Sequence, residues 1–198
     1  MDLLRSLGPV TSPVLIALAA VSVLALAVIL ERAWAWGLAK ARRAQPRALL
    51  ELARQGPGPA ARHEAARLAR RDPYARVLAQ WLDSQGHRGH VEQAVTREEA
   101  LLDRNVWVLD CAATIGPLLG ILGTLVGISR SFSGFDAITQ LDPTVVSRGI
   151  SLALNSTVVG LGITVVSVVA AHFFRRMTDG AVSRLENFGE ALLSVKER

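Results

Sequence analysis

The 198-residue sequence holds one cysteine, Cys111, and that residue lies within an apolar run. A disulfide framework and a cysteine-rich zinc site are both excluded. Charge is also scarce: 20% of residues are Asp, Glu, Lys or Arg against 51% hydrophobic, and mean hydropathy is +0.33. A water-soluble domain rarely has this balance. The stretch Ile150 to Phe174 carries no acidic or basic side chain of these four types at all. Strand-like alternation and internal repeats are absent too, as are a nucleophile with a base, a phosphate-cradling loop and a nucleotide fingerprint. These absences argue against an enzyme and leave a helical membrane protein.

Three runs are long and apolar enough to span. The first covers about Val10 to Leu30, with Pro13 tolerable in a first helical turn; it is too long, and lacks the cleavage pattern, for a signal peptide. The second covers about Val106 to Ile128 and the third Ile150 to Phe174. Each meets the roughly 20 residues a bilayer requires.

Formal net charge is +5 and the sequence pI about 10.6, values that also occur in nucleic-acid binders. Placement decides otherwise. Lys and Arg crowd residues 40–104 and recur after the third span, whereas Arg5 alone precedes the first and only Arg130 and Arg148 lie between the second and third. The positive-inside rule then makes the first loop and the tail cytoplasmic, with the N-terminus and residues 129–149 outside. Trp34, Trp36 and Trp107 fall near the cytoplasmic interface, where amphipathic rings prefer to sit.

The cytoplasmic loop reads as helices. "PRALLELARQ" and "PAARHEAARLARR" are separated by "GPGP", and in "DPYARVLAQWLDSQG" Asp72 is the expected N-cap before Pro73. From about His90 no Gly or Pro intervenes before Gly116, so the second span is expected to extend far into the cytoplasm. After the third span, Val182, Leu185, Gly189 and Leu192 share one face of an amphipathic helix that needs a partner. The divisions are thus 1–36, N-terminus and first span; 37–105, helical loop; 106–174, second and third spans; and 175–198, terminal helix.

Polar and small residues interrupt the second and third spans in a pattern. At 100° per residue, Pro117, Gly120, Thr124, Gly127 and Ser131 form one stripe of the second span, with Gly116 and Gly123 beside it. In the third, Thr157, Thr164, Ala153 and Gly160 lie within about 60° of one another, with Ser156 and Ser167 at the same edge. Asn155 falls about 160° from Thr157, with Ser151 and Gly162. The expectation is that the threonine face borders a cavity while Asn155 bonds a neighbouring helix. The alternative is that every one of these residues serves helix packing.

"IGPLLGILGTLVGISRSF" (Ile115 to Phe132) and "VVSRGISLALNSTVVGLGITVV" (Val145 to Val166) together resemble the paired signature segments of the MotA/TolQ/ExbB proton-channel family. Three spans resemble its ExbB/TolQ branch, the flagellar branch having four. The resemblance implies an all-α membrane protein with three transmembrane helices and long cytoplasmic helical extensions. It further implies a homopentamer in the bacterial inner membrane around a dimer of an ExbD/TolR/MotB-like single-span partner. The assembly would use protons as coupling ion, without a cofactor, to do mechanical work in the cell envelope. Membrane lipid would be its other partner, and nucleic acid none. The proton-carrying aspartate belongs to the partner, and Thr124 and Thr157, matching family threonines, would line the pathway with Gly120, Gly127, Ser131 and Thr164. Asn155, Ser151, Gly160, Gly162 and Pro117 would pack helices.

One position departs from the branch. Leu152 stands where ExbB and TolQ proteins have glutamate, and leucine cannot relay a proton; a non-conducting membrane scaffold is the alternative this supports. Asn155, one turn further on, offers a polar contact there without proton exchange. Asp110 lies about 21 Å along the helix from Thr124 and reads as an interface charge, with a cytoplasmic proton exit as the other reading. His87 and His90 have metal-compatible spacing in "GHRGH" but no third ligand nearby, so an exposed turn is expected and no metal. His172 is expected to snorkel from the inner end of the third span.

Overall fold

The computed structural model describes residues 11–41, 46–56, 58–70, 72–132 and 143–196. Among them are seven helices and no strand: α1 (Thr11–Ala41), α2 (Pro46–Arg54), α3 (Pro59–Ala69), α4 (Pro73–Asp83), α5 (Arg88–Leu102), α6 (Val106–Phe132) and α7 (Pro143–Lys196). Three of them contain segments long and apolar enough to cross a membrane: Pro13–Gly37, Val106–Ser129 and Gly149–Val195. The chain is an all-α, multi-pass membrane protein. It divides into two compact units, one built from the described parts of 1–30 and 105–172, the other from 31–104 and 173–198.

The first unit holds all of Val106–Ser129 and the N-terminal parts of the other two apolar segments. On α1, Val14, Leu18, Ala25 and Val28 are buried at helical spacing, while Ile16, Val23, Leu24, Leu26 and Leu30 are exposed. α6 and α7 show the same inversion: their large side chains, Leu118, Leu125, Val158 and Val165 among them, point outward. In hydrocarbon that exposure carries no penalty, and small residues are left for the inside.

The second unit is organised like a water-soluble domain. Leu49 and Ala53 of α2, Ala61 and Ala65 of α3, Val77, Leu78, Trp81 and Leu82 of α4 and Val91 and Val95 of α5 form a core with Leu185, Phe188 and Leu192 of α7. The terminal amphipathic face therefore finds its partner here. Each fully buried leucine contributes roughly 2 kcal/mol of transfer free energy. Tyr74 meets Phe188 edge to face at 5.4 Å. Asp72 caps α4 by accepting the Tyr74 N–H at 2.8 Å, and Pro73 occupies the first turn, where a missing N–H costs nothing. Arg76 forks onto buried Glu98, with Nε and Nη2 each 2.5 Å from a carboxylate oxygen. Hydrogen bonding to Glu98 holds the Arg76 guanidinium above its ordinary value; burial opposes this, and the charges of Glu98 and Asp72 add to it.

Two expectations change. The helix beginning near His90 does not run on into the second span: α5 ends at Leu102, Asn105 adopts φ of 67°, and α6 starts at Val106. The terminal carbonyl of α5 is taken from a distance instead, by Arg32 Nη1 at 3.0 Å and Thr178 Oγ1 at 3.5 Å, and asparagine tolerates the left-handed conformation that the break requires. Conversely, the third span and the terminal helix are one element, α7. Of the three tryptophans, Trp36 is buried within the chain, whereas Trp34 and Trp107 are exposed.

Candidate functional site

Along α6 and α7 of the first unit, small residues face one another at backbone range. A Cβ on Gly120 would stand 3.1 Å from the Thr157 Cα, one on Gly127 2.8 Å from the Ala153 Cβ, and one on Gly160 2.5 Å from the Gly116 carbonyl oxygen. Gly116 lies against Gly160 and Thr164, and Gly149 against Ser131. Such an approach replaces large-side-chain packing with many short contacts. Val14 of α1 covers one edge, reaching the Gly123 position beside Ser156.

Within this seam the hydroxyls converge on one carbonyl. Three hydroxyls lie within hydrogen-bonding distance of Gly120 O: Thr124 Oγ1 at 2.9 Å, Thr157 Oγ1 at 3.1 Å and Ser156 Oγ at 3.2 Å. Thr124 Oγ1 and Thr157 Oγ1 are themselves 2.5 Å apart, and Ser156 also reaches the Ala153 carbonyl at 2.7 Å. Each threonine hydroxyl has one proton. If Thr124 donates to Gly120, Thr157 donates to Thr124; the reverse order serves equally. Both protons are then used inside the seam, and what the pair offers outward is acceptor lone pairs. Since Gly123 and Ser156 face Val14, a 100° step to the next residue turns both threonines to the edge opposite that contact. Each is half-buried.

The remaining sequence-derived positions divide between the seam and the exposed faces. Gly120, Gly127 and Ser131 are buried in the seam, where within one chain they permit close approach; Ser131 donates to Gly127 O at 3.0 Å. Thr164 is half-buried and donates to Gly160 O at 2.9 Å. Gly160 packs, and Pro117 is half-buried beside the seam. Ser151, Asn155 and Gly162 share a face as the periodicity demands, but within one chain it is an exposed face, and nothing lies within 4 Å of a Cβ at Gly162. The seam consumed the opposite side of α7. The Leu152 side chain lies outside the described residues, as does the 133–142 part of the loop between the second and third spans. Ser167, placed at the threonine edge by spacing, is fully buried, and its hydroxyl has no partner among the described residues. Cys111 is exposed on α6. His87, at the N-cap of α5, and His90, in its first turn, are exposed and stack with ring centroids 6.1 Å apart; His172 is exposed, its Nδ1 2.9 Å from Val168 O. Among the described residues no three His, Cys, Asp or Glu side chains gather as a metal would need.

Spanning helices joined through a glycine seam with a hydroxyl cluster at its centre define a multi-pass helical membrane protein. The chain belongs to the MotA/TolQ/ExbB proton channel family, whose pattern it matches over residues 62–187. It is similar to a Synechocystis biopolymer transport protein named ExbB-like 3, at 34% identity over 79% of this chain and 77% of that one. It also resembles the Tol-Pal system protein TolQ of Pseudomonas aeruginosa, 29% identical over 53% of this chain and 46% of the relative. Biopolymer transport protein exbB1 of Vibrio cholerae is 35% identical over 40% and 36%. The chain thus spans about three quarters of the first relative and less than half of the other two.

Proposed function

We propose that this chain is the multi-copy subunit of an ion-driven motor in the bacterial inner membrane. Five copies would surround two single-span helices of an ExbD/TolR-like partner, with the N-terminus periplasmic and the C-terminus cytoplasmic. Proton flow past the partner would be converted into mechanical work in the cell envelope. The observation that carries this reading is the Thr124–Thr157 pair: two hydroxyls joined across the seam, at the edge turned away from α1 and with lone pairs to spare. Because both protons are committed inward, the pair favours a neutral carboxylic acid, which donates an O–H, over a carboxylate, which needs donors. It lowers the cost of an acid that crosses the bilayer protonated. Thr124, Thr157 and Thr164 present hydroxyls; Gly120 and Gly127 set the helix spacing that positions them.

The test is proton flux in liposomes carrying the chain and its single-span partner. Thr124→Val or Thr157→Val, which keep the shape and delete the hydroxyl, are expected to cut flux tenfold or more with assembly intact. Unchanged flux, or none in the parent protein, would favour the non-conducting scaffold that Leu152 supports.

A further inference from the structure

The second unit carries a groove that its own core does not fill. Helices α5 and α7 run antiparallel there, with a Gly189 Cβ position 3.0 Å from Val91 and Thr178 bonded to Leu102 O. Beside that contact lies a groove of about 380 Å³ with an apolar floor of Val91, Val95 and Leu193. Its rims are acidic. Glu92 and Glu99 of α5 and Glu186 and Glu190 of α7 line the groove. Asp103, just past the end of α5, and Asp179 of α7 continue the two rows beyond it, giving steps of seven and four residues on each. All six are exposed. Arg88 bridges Glu92 and Glu190 at one end, leaving Glu99, Glu186, Asp103 and Asp179 without a cationic partner among the described residues.

The complementary surface is on the same unit. Helix α3 buries Ala61 and Ala65 and turns Arg62, Ala66 and Arg70 outward in one row. Neither arginine has an acidic partner among the described residues; Arg67 is paired with Glu64. Arg62 and Arg70 lie about 12 Å apart along the helix, and Asp179 and Glu186 about 10.5 Å, a mismatch within the reach of an arginine side chain. Ala66 between them is small enough to approach the apolar floor. A cation or metal would use the carboxylates but not the floor, whereas a basic helix with a small apolar residue between its arginines uses both.

We infer that the α5–α7 groove receives helix α3 of a second copy of this chain, Arg62 and Arg70 lying between the two acidic rows. The contact is heterologous, groove of one copy to helix of the next, the type of contact that builds a ring when the rotation between copies closes. The inference rests on the multi-copy assembly proposed above and assigns one of its interfaces. Exposed charges carry it, so it is salt-sensitive.

Native mass spectrometry of the full chain with its partner, over a series of NaCl concentrations, tests it. Glu99→Lys with Glu186→Lys, and separately Arg62→Glu with Arg70→Glu, are expected to lower the fraction of complete rings at low salt at least fivefold. All four changes in one chain should restore it. Helical content by circular dichroism should stay unchanged in each variant, since every altered side chain is exposed. Reversals that leave copy number and salt dependence untouched while proton flux persists overturn this interface alone. Loss of the single-span partner with the copies still assembled assigns the groove to that partner and overturns it as well. A parent protein that is monomeric at every salt concentration overturns both this interface and the multi-copy motor.

Discussion

Glycine and serine hold one unit of this protein together, and leucine, tryptophan and tyrosine hold the other. In the first unit the inside of α6 and α7 is Gly116, Gly120, Gly127, Ala153, Ser156 and Gly160, while leucines and valines face outward. In the second, Leu78, Leu82, Trp81 and Leu185 are inside, and arginine and glutamate face outward. The two arrangements answer to different solvents. Water drives large apolar side chains together at roughly 25 cal/mol per Å². Hydrocarbon offers no such drive, so helices associate through close packing and interhelical hydrogen bonds.

If that contrast is right, substitutions of similar size should have opposite consequences in the two units. The largest effect is expected at Gly160→Val, because the new Cβ would meet backbone atoms of Gly116 and Gly120, which cannot swing aside. A loss of about 4 kcal/mol or more should remove most monodisperse protein recovered in mild detergent. Gly162→Val, two residues away and facing open space, should leave recovery unchanged. Next comes deletion of apolar bulk. Leu78→Ala in the second unit should destabilise by about 3 kcal/mol in detergent-solubilised unfolding. Val158→Ala, at a position 68% exposed in the first, should change it by less than about 0.5 kcal/mol. The smallest effect compares two buried serines. Ser156→Ala removes a hydroxyl that has acceptors and should cost about 1 kcal/mol, whereas Ser167→Ala removes one without a partner and should be neutral or stabilising. A clear loss of stability at Ser167→Ala would show that its hydroxyl is satisfied after all.

Much of the fold follows from the local pattern. Asp72 before Pro73, the "GPGP" between two short helices and the Leu185/Leu192 face carry their structural meaning within a few residues. The convergence of Thr124 and Thr157 is visible as two stripes of small and hydroxyl residues. What the stripes touch is not. Spacing places Asn155 opposite Thr157, but both faces contain small and polar residues, and nothing local says which one meets α6. Within one chain Ser151, Asn155 and Gly162 lie on the face that does not meet α6, and the neighbouring helix expected at Asn155 is not another helix of the same copy. The burial of Trp36 is likewise invisible locally, because an indole beside a span can face lipid or its own chain.

The carbonyl of Leu102 carries a wider consequence. In an ordinary helix the terminal acceptors are met by the next few residues, so a helix's length is decided where it ends. Here the deciding groups are Arg32 and Thr178, separated from Leu102 by 70 and 76 positions. A residue change at Arg32 or Thr178 can therefore uncover the last carbonyl of α5 without touching that helix. The C-terminal cap of α5 is heritable at positions that belong to neither α5 nor α6.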